Sequence, residues 1–297
     1  MGDGLHDRGK GPTVGAIGLG CMGMTWAYPT GGQDDPMSMA VLRRALDLGV
    51  TLIDTADVYG PFTNEELVGR ALRGRRDEAV LATKVGLVLD DTGNPPRRDG
   101  RPEHVREGID ASFQRLGVDH VDLYQLHRVD PDVALEETWG AMAETVAAGK
   151  ARAIGLSEVD VDTLDRAQAV HPVASVQSES SLWTRGPIAE GVLEWCREHG
   201  SAFSPFSPLG RGFLTGTITA ASFAADDFRS RNPRFTQEGG GGEPSPRRGR
   251  PGGRRTPRRH PGAGRARLGP RPGRGGDPHP RHQACRLPGG ERCRRRS

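Results

Sequence analysis

The sequence is poor in several features that would otherwise direct the reading. No apolar run approaches the ~18 residues that would suggest a membrane span. The first residues are rich in Gly, Asp and Lys and carry no apolar core like that of a signal peptide. Cysteines are few: Cys21, Cys196, Cys285 and Cys293, with neither a CxxC pair nor a zinc spacing. No metal site is expected, and a reduced, cytoplasmic setting is. No G-x-G-x-x-G fingerprint opens a strand–helix unit, and Gly18-Leu-Gly20 is too short to serve as one, which disfavours a Rossmann dehydrogenase.

Apolar residues make up only 34% of the 297-residue chain, and that average hides two unlike segments. Residues 239–297 contain no Lys, Phe, Tyr or Trp and only two Leu, against 17 Arg, 15 Gly and 10 Pro. Their only acids are Glu243, Asp277 and Glu291. That stretch carries +14, and because the whole chain is formally +3, residues 1–238 carry −11. The front is an ordinary acidic domain, and the back is composed like nothing that packs a core.

From residue 13 to about 208, short apolar runs alternate with helical patterns. The runs are Val14–Leu19, Val50–Ala56, Ala79–Lys84, Val121–His127, Ala151–Ser157, Val173–Gln177 and Ala202–Ser207. Between them, Val105, Ile109, Phe113 and Leu116 recur at helical spacing and stop at Gly117. Thr63 with Glu66 three residues on reads as a capping box before Leu67, Val68, Ala71 and Leu72. This alternation predicts a parallel sheet with helices outside it, either doubly wound or closed into a barrel. Seven strand–helix units are one short of a (β/α)8 barrel.

In both architectures functional groups collect at the C-terminal ends of the strands. Asp54 ends one run and Tyr59 follows in its loop; Lys84 ends the next and His127 the one after. Singly, each has a plain reading: a satisfied rim histidine, a lysine reaching water, an aspartate capping a turn, a tyrosine packed in a loop. What sets them apart is that all four, from three successive strands, sit in corresponding places along the strand–loop pattern.

Asp54-Thr-Ala-Asp-Val-Tyr59-Gly60, followed by Asn64-Glu65-Glu66, resembles the signature of aldo-keto reductases. Lys84 and His127 fall where that family's other two catalytic residues belong. Further matches are Gly18-Leu-Gly-Cys-Met-Gly23, Ile154-Gly-Leu-Ser157, Gln177 and the run from Ser207 to Gly216. The resemblance covers residues 13–236 and implies a (β/α)8 barrel that reduces an aldehyde or ketone with NADPH. It implies Tyr59 as general acid, with Lys84 lowering the phenol's pKa, Asp54 holding Lys84, and His127 orienting the carbonyl. It further implies cofactor contacts from Gly20, Cys21 and Met22, from Ser157 and Gln177 at the carboxamide, and from Ser207, Leu209 and Arg211 near the pyrophosphate. Two positions depart from the common pattern. Glu158 stands where many members have Asn, and Phe206 stands where a Tyr usually stacks on the nicotinamide, keeping the aromatic face.

After Glu238 the resemblance stops. The family has two helices there, then the eighth strand, Ile-Pro-Gly-Thr-Lys-Arg and a last helix, which complete the barrel and bind the adenosine phosphates. Codons for residues 278–295 read one base downstream can spell PIPGTKRVGYLEENVAA, and those for 260–277 can spell TPAQAALAWVLARGGGEI. The sequence therefore reads as a flexible N-terminus (1–12), a truncated seven-stranded barrel (13–238) and a disordered, out-of-frame tail (239–297). The expected consequence is impaired activity. Two rival functions are a non-catalytic regulatory protein of this fold, disfavoured by the intact tetrad, and nucleic-acid binding by the Arg-rich tail, disfavoured by its lack of stacking aromatics. A small carbonyl compound is the expected partner, with no membrane association.

Overall fold

The computed structural model describes residues 13–28, 35–89, 97–216, 218, 223 and 227–235. The expectations for the N-terminal arm, and for the tail with its missing strand, disorder or nucleic-acid binding, lie outside the described residues. Strands β1 (Gly18–Gly20), β2 (Leu52–Asp54) and β3 (Val80–Val85) are followed by a short antiparallel hairpin, β4 (Leu87–Val88) and β5 (Arg97–Arg98). Then come β6 (Val121–Leu126), β7 (Ala151–Ser157), β8 (Ser175–Glu179) and β9 (Ala202–Phe206). One sheet runs β1-β2-β3-β6-β7-β8-β9, with every neighbouring pair parallel. It curls into a nearly closed barrel, a (β/α)8 architecture with seven strands among the described residues, so that β1 and β9 each pair on one side only.

Parallel neighbours need crossovers, and helices supply them. These are α1 (Asp35–Asp47), α2 (Thr63–Leu72), α3 (Pro102–Leu116), α4 (Leu135–Ala147), α5 (Val161–Val170), α6 (Gly186–Ala189) and α7 (Val192–His199). Helix α3 shows why the local sequence suffices. Pro102 opens it, Val105, Ile109 and Leu116 face the core, and Gly117 ends it at φ 68°, donating its N–H to Phe113 O at 2.8 Å. The core between sheet and helices is continuous, with Trp139, Ile53, Leu81, Leu126, Ile154 and Leu156 fully buried.

Two expectations need correction. The runs Val14–Leu19 and Val50–Ala56 yield strands of only three residues each, because β1 has a partner on one side and its ladder with β2 spans three pairs. The capping box is absent. Phe62 takes the position before α2, in the left-handed region at φ 66°, while the Thr63 hydroxyl donates back to Gly60 O at 2.6 Å. Glu66 is exposed; its neighbour Glu65 is the buried one, accepting from Thr83 Oγ1 at 2.6 Å and pairing with Arg115 Nε at 2.6 Å.

Candidate active site

Strand β2 ends on Asp54, β3 carries Lys84 next to its last residue, and His127 follows β6 directly, its N–H donating to Val85 O at 2.8 Å. Tyr59 stands one turn past β2, its N–H donating to Ala56 O at 3.2 Å. These three ends therefore bring the four residues to one rim.

Lys84 Nζ is fully buried and donates to Asp54 Oδ1 at 2.5 Å, to Thr55 O at 2.8 Å and to the Tyr59 hydroxyl at 3.4 Å. Burial pushes this ammonium down, but Asp54 and Tyr59 outweigh it, and the group is held above its ordinary value. The other Asp54 oxygen accepts from Gln177 Nε2 at 3.0 Å and Gln125 Nε2 at 3.3 Å. Gln125 gains its space from Gly155, where a Cβ would stand 2.8 Å from Ser175 O and 3.3 Å from Gln125 Cγ. The Tyr59 phenol is raised above its ordinary value by burial, and Lys84 only partly offsets that. The lysine thus acts in the expected direction, while desolvation decides the sign.

The His127 ring meets Tyr59 edge-on, with centroids 5.7 Å apart. Its Nδ1 is buried without a hydrogen-bond partner among the described residues. Burial, then the charges of Lys84 and Arg128, hold the imidazole well below its usual pKa, so it is neutral near pH 7. Trp26 tilts against Tyr59 at 5.6 Å, and Met22, Leu87 and Leu89 pack on the same cluster, giving the rim an apolar wall.

The expected cofactor positions form an arc around this rim. Gly20 ends β1, and Cys21, fully buried, donates its N–H to Asp54 O at 2.8 Å; burial drives its thiol pKa up. Asn64 pins this loop to α2, donating to Cys21 O at 2.9 Å and Thr25 Oγ1 at 2.7 Å while accepting from Thr55 Oγ1 at 2.7 Å. Ser157 and Gln177 are paired across β7 and β8, and Ser157 Oγ accepts from Arg128 Nη1 at 3.0 Å. Glu158 adopts φ 57°, a left-handed region that Asn tolerates better than most non-glycine residues. Its carboxylate accepts from Glu179 N at 2.5 Å.

Beyond β9, Ser207, Gly210, Arg211 and Gly212 all have positive φ, and Leu209 is exposed. Arg211 is drawn to Glu179, 2.9 Å away, and stacks toward Phe228 at 5.0 Å and Phe206 at 6.0 Å. Glu179 also holds Arg234 at 2.6 Å. Phe228 N–H reaches Ala27 O at 2.9 Å, so residues 227–235 bridge the loops after β1 and β9.

The Aldo/keto reductase family profile matches residues 16–238. The chain belongs to that family. This aldo/keto reductase is 43% identical over 235 residues to "Probable aldo-keto reductase 1" of Glycine max, a match covering 77% of the chain and 66% of the soybean protein. The chain thus spans about two thirds of that relative's length. Its fold is similar to the glycerol dehydrogenase AKR11B4 of Gluconobacter oxydans: 33% identity, TM-score 0.71, covering 80% of this chain and 73% of that one. An aldo/keto reductase from Klebsiella pneumoniae, solved in complex with NADP and acetate, matches at 33% identity and TM-score 0.55 over 67% of this chain and 66% of its own.

Sequence reasoning about this aldo/keto reductase missed Gln125, Arg128, Glu179 and Arg234. Gln125 was within reach, because the twofold period of a strand puts it on the same side as His127. Arg128, Glu179 and Arg234 gave no such signal, since their partners come from other strands and loops.

Proposed function

We propose that the chain is an NADPH-dependent carbonyl reductase in which Tyr59 is the general acid. The observation that carries this reading is the single hydrogen-bonded set Asp54–Lys84–Tyr59 with neutral His127 against the phenol ring. NADPH, when bound, supplies a hydride to the carbonyl carbon. Tyr59 gives its proton to the carbonyl oxygen, and the Lys84 ammonium at 3.4 Å stabilises the phenolate left behind. Asp54 keeps Lys84 charged and aimed, while His127 orients the carbonyl beside Tyr59.

The residues present fit a dinucleotide. Arg211 Nε, in the loop that follows β9, is buried without a partner among the described residues and is a donor that an anionic group could use. Gly20, Cys21, Met22, Ser157, Gln177, Phe206, Ser207 and Leu209 would complete that arc. The relative solved with NADP supports the choice of cofactor. We place the barrel domain at residues 13–238, and the buried free thiols Cys21 and Cys196 suit a cytoplasmic setting.

The test is loss of reduced-nicotinamide absorbance with a panel of aldehydes and ketones, on this chain and on one with the reading frame restored after Glu238. Tyr59→Phe should cut turnover by ~10²–10⁴ in either chain without weakening NADPH binding. Restoring the frame should tighten NADPH by roughly two to four powers of ten, through the regained lysine and arginine on its 2′-phosphate. No turnover by the restored chain on any carbonyl would end the reading.

A further inference from the structure

Arg128 stands beside the tetrad with its charge unspent. Its Nη1 donates to His127 O at 2.5 Å and to Ser157 Oγ at 3.0 Å. A guanidinium has five N–H donors, and none of the remainder has an acceptor among the described residues. No carboxylate there comes within ion-pairing distance of it, whereas Lys84 is matched by Asp54 and Arg211 by Glu179. The group is more than half buried, and burial, together with the like charges of Arg98 and Arg211, pushes its pKa down; Glu158 and the Tyr59 phenol act against that. A desolvated cation lacking a counter-ion is costly for a fold to keep, and an anion delivered by a ligand relieves that cost. Met22, Trp26, Leu87 and Leu89 pack as an apolar group on the cluster that contains Tyr59.

We propose that Arg128 is a specificity-determining residue that selects carbonyl substrates bearing a carboxylate on an apolar body. The proposal rests on the carbonyl-reductase reading of the same site. Arg128 holds the carboxylate through its free donors, while the apolar wall takes the hydrocarbon and Tyr59 and His127 face the carbonyl oxygen. Because Arg128 touches both His127 and Ser157, it positions the substrate relative to the proton donor as well as binding it.

Two matched pairs test this, phenylglyoxylate with its methyl ester and 4-carboxybenzaldehyde with its methyl ester. The full chain, Arg128→Met and Arg128→Lys are compared by kcat/KM with NADPH. They are also compared by tryptophan-fluorescence titration with each compound, with and without NADP. The expected result is that the acid is preferred over the ester in at least one pair by about 10- to 100-fold, in binding and in turnover. That ratio should collapse toward one in Arg128→Met and be largely restored in Arg128→Lys. A merely structural role would lower acid and ester together and leave the ratio unchanged. Equal acid-to-ester ratios in all three proteins overturn the proposal, as does a loss confined to NADPH affinity. If this chain turns nothing over, the frame-restored chain decides whether carbonyl reduction fails, and the binding ratios still decide whether Arg128 selects carboxylates.

Discussion

Gln177 Nε2 donates to Asp54 Oδ2 at 3.0 Å, joining side chains 123 positions apart in the chain. Asp54 thus divides its oxygens, one toward Lys84 and the other toward the amides of Gln177 and Gln125. Removing the carboxylate charge leaves a fully buried ammonium uncompensated. Asp54→Asn should therefore destabilise the fold by ~2–4 kcal/mol. Gln177→Leu should cost only ~0.5–1.5 kcal/mol, because Gln125 still serves the same oxygen. Urea unfolding of both variants checks this, and equal losses would mean that the ion pair is not what holds Asp54.

His127 should stay neutral at pH values where an ordinary histidine is already protonated. Its pKa lies well below the ordinary histidine value because burial and two neighbouring cations disfavour the imidazolium. Between that depressed value and about 6.5, the unfolded chain binds a proton that the folded chain refuses. The stability from this group is therefore present above about pH 6.5 and lost as pH falls. Side-chain NMR should find its ring shifts constant from about pH 8 to 5.5, and a midpoint near 6.5 would contradict the buried environment.

Asp57 behaves in the opposite sense to an ordinary paired carboxylate. Burial, then the charge of Glu65, raise its pKa to about 8, while its Oδ1 accepts from Val58 N at 2.6 Å. From about pH 4 to 8 the folded protein holds a proton that the unfolded chain has lost, so this group's contribution declines as pH rises. Asp57→Asn keeps the acceptor and removes the titration. It should flatten the stability–pH curve over that window and gain on the order of 3–4 kcal/mol at pH 8 relative to pH 5. Unchanged slopes in urea midpoints at the two pH values would refute it.

Gly69 sits inside α2, where alanine is ordinarily the better helix former by ~1 kcal/mol. Here a Cβ would run into the backbone of Leu116, meeting its carbonyl oxygen inside van der Waals contact. Gly69→Ala should accordingly destabilise by ~1–3 kcal/mol in thermal unfolding, because α2 and α3 can separate only by disrupting the core behind them. A stabilised variant would mean that the two helices pack less closely than described.

The seven strand runs, the stop at Gly117 and the rim location of Asp54, Tyr59, Lys84 and His127 were legible because each depends on spacing within some fifteen residues. The hairpin β4–β5 was not, since two-residue strands have no usable period, and with it the placement of Leu87 beside Tyr59 was hidden. The error at Thr63 has a similar source. A capping box is a local pattern, but the backbone at Phe62 turns left-handed and sends the Thr63 hydroxyl back to Gly60 instead.

By itself the sequence determined which chemical groups stand at strand ends and that these strands lie parallel, because periods of two and 3.6 residues and short connections are properties of neighbouring residues. Tertiary structure alone decided the protonation states and the pairings. Lys84 keeps its charge because Asp54, 30 residues away, reaches it where the ammonium is fully buried. Tyr59 and His127 are shifted by burial, and Arg211 is drawn to Glu179 while Arg128 is left unmatched. These outcomes depend on through-space distance and on exclusion of water, and no local pattern along the chain encodes either.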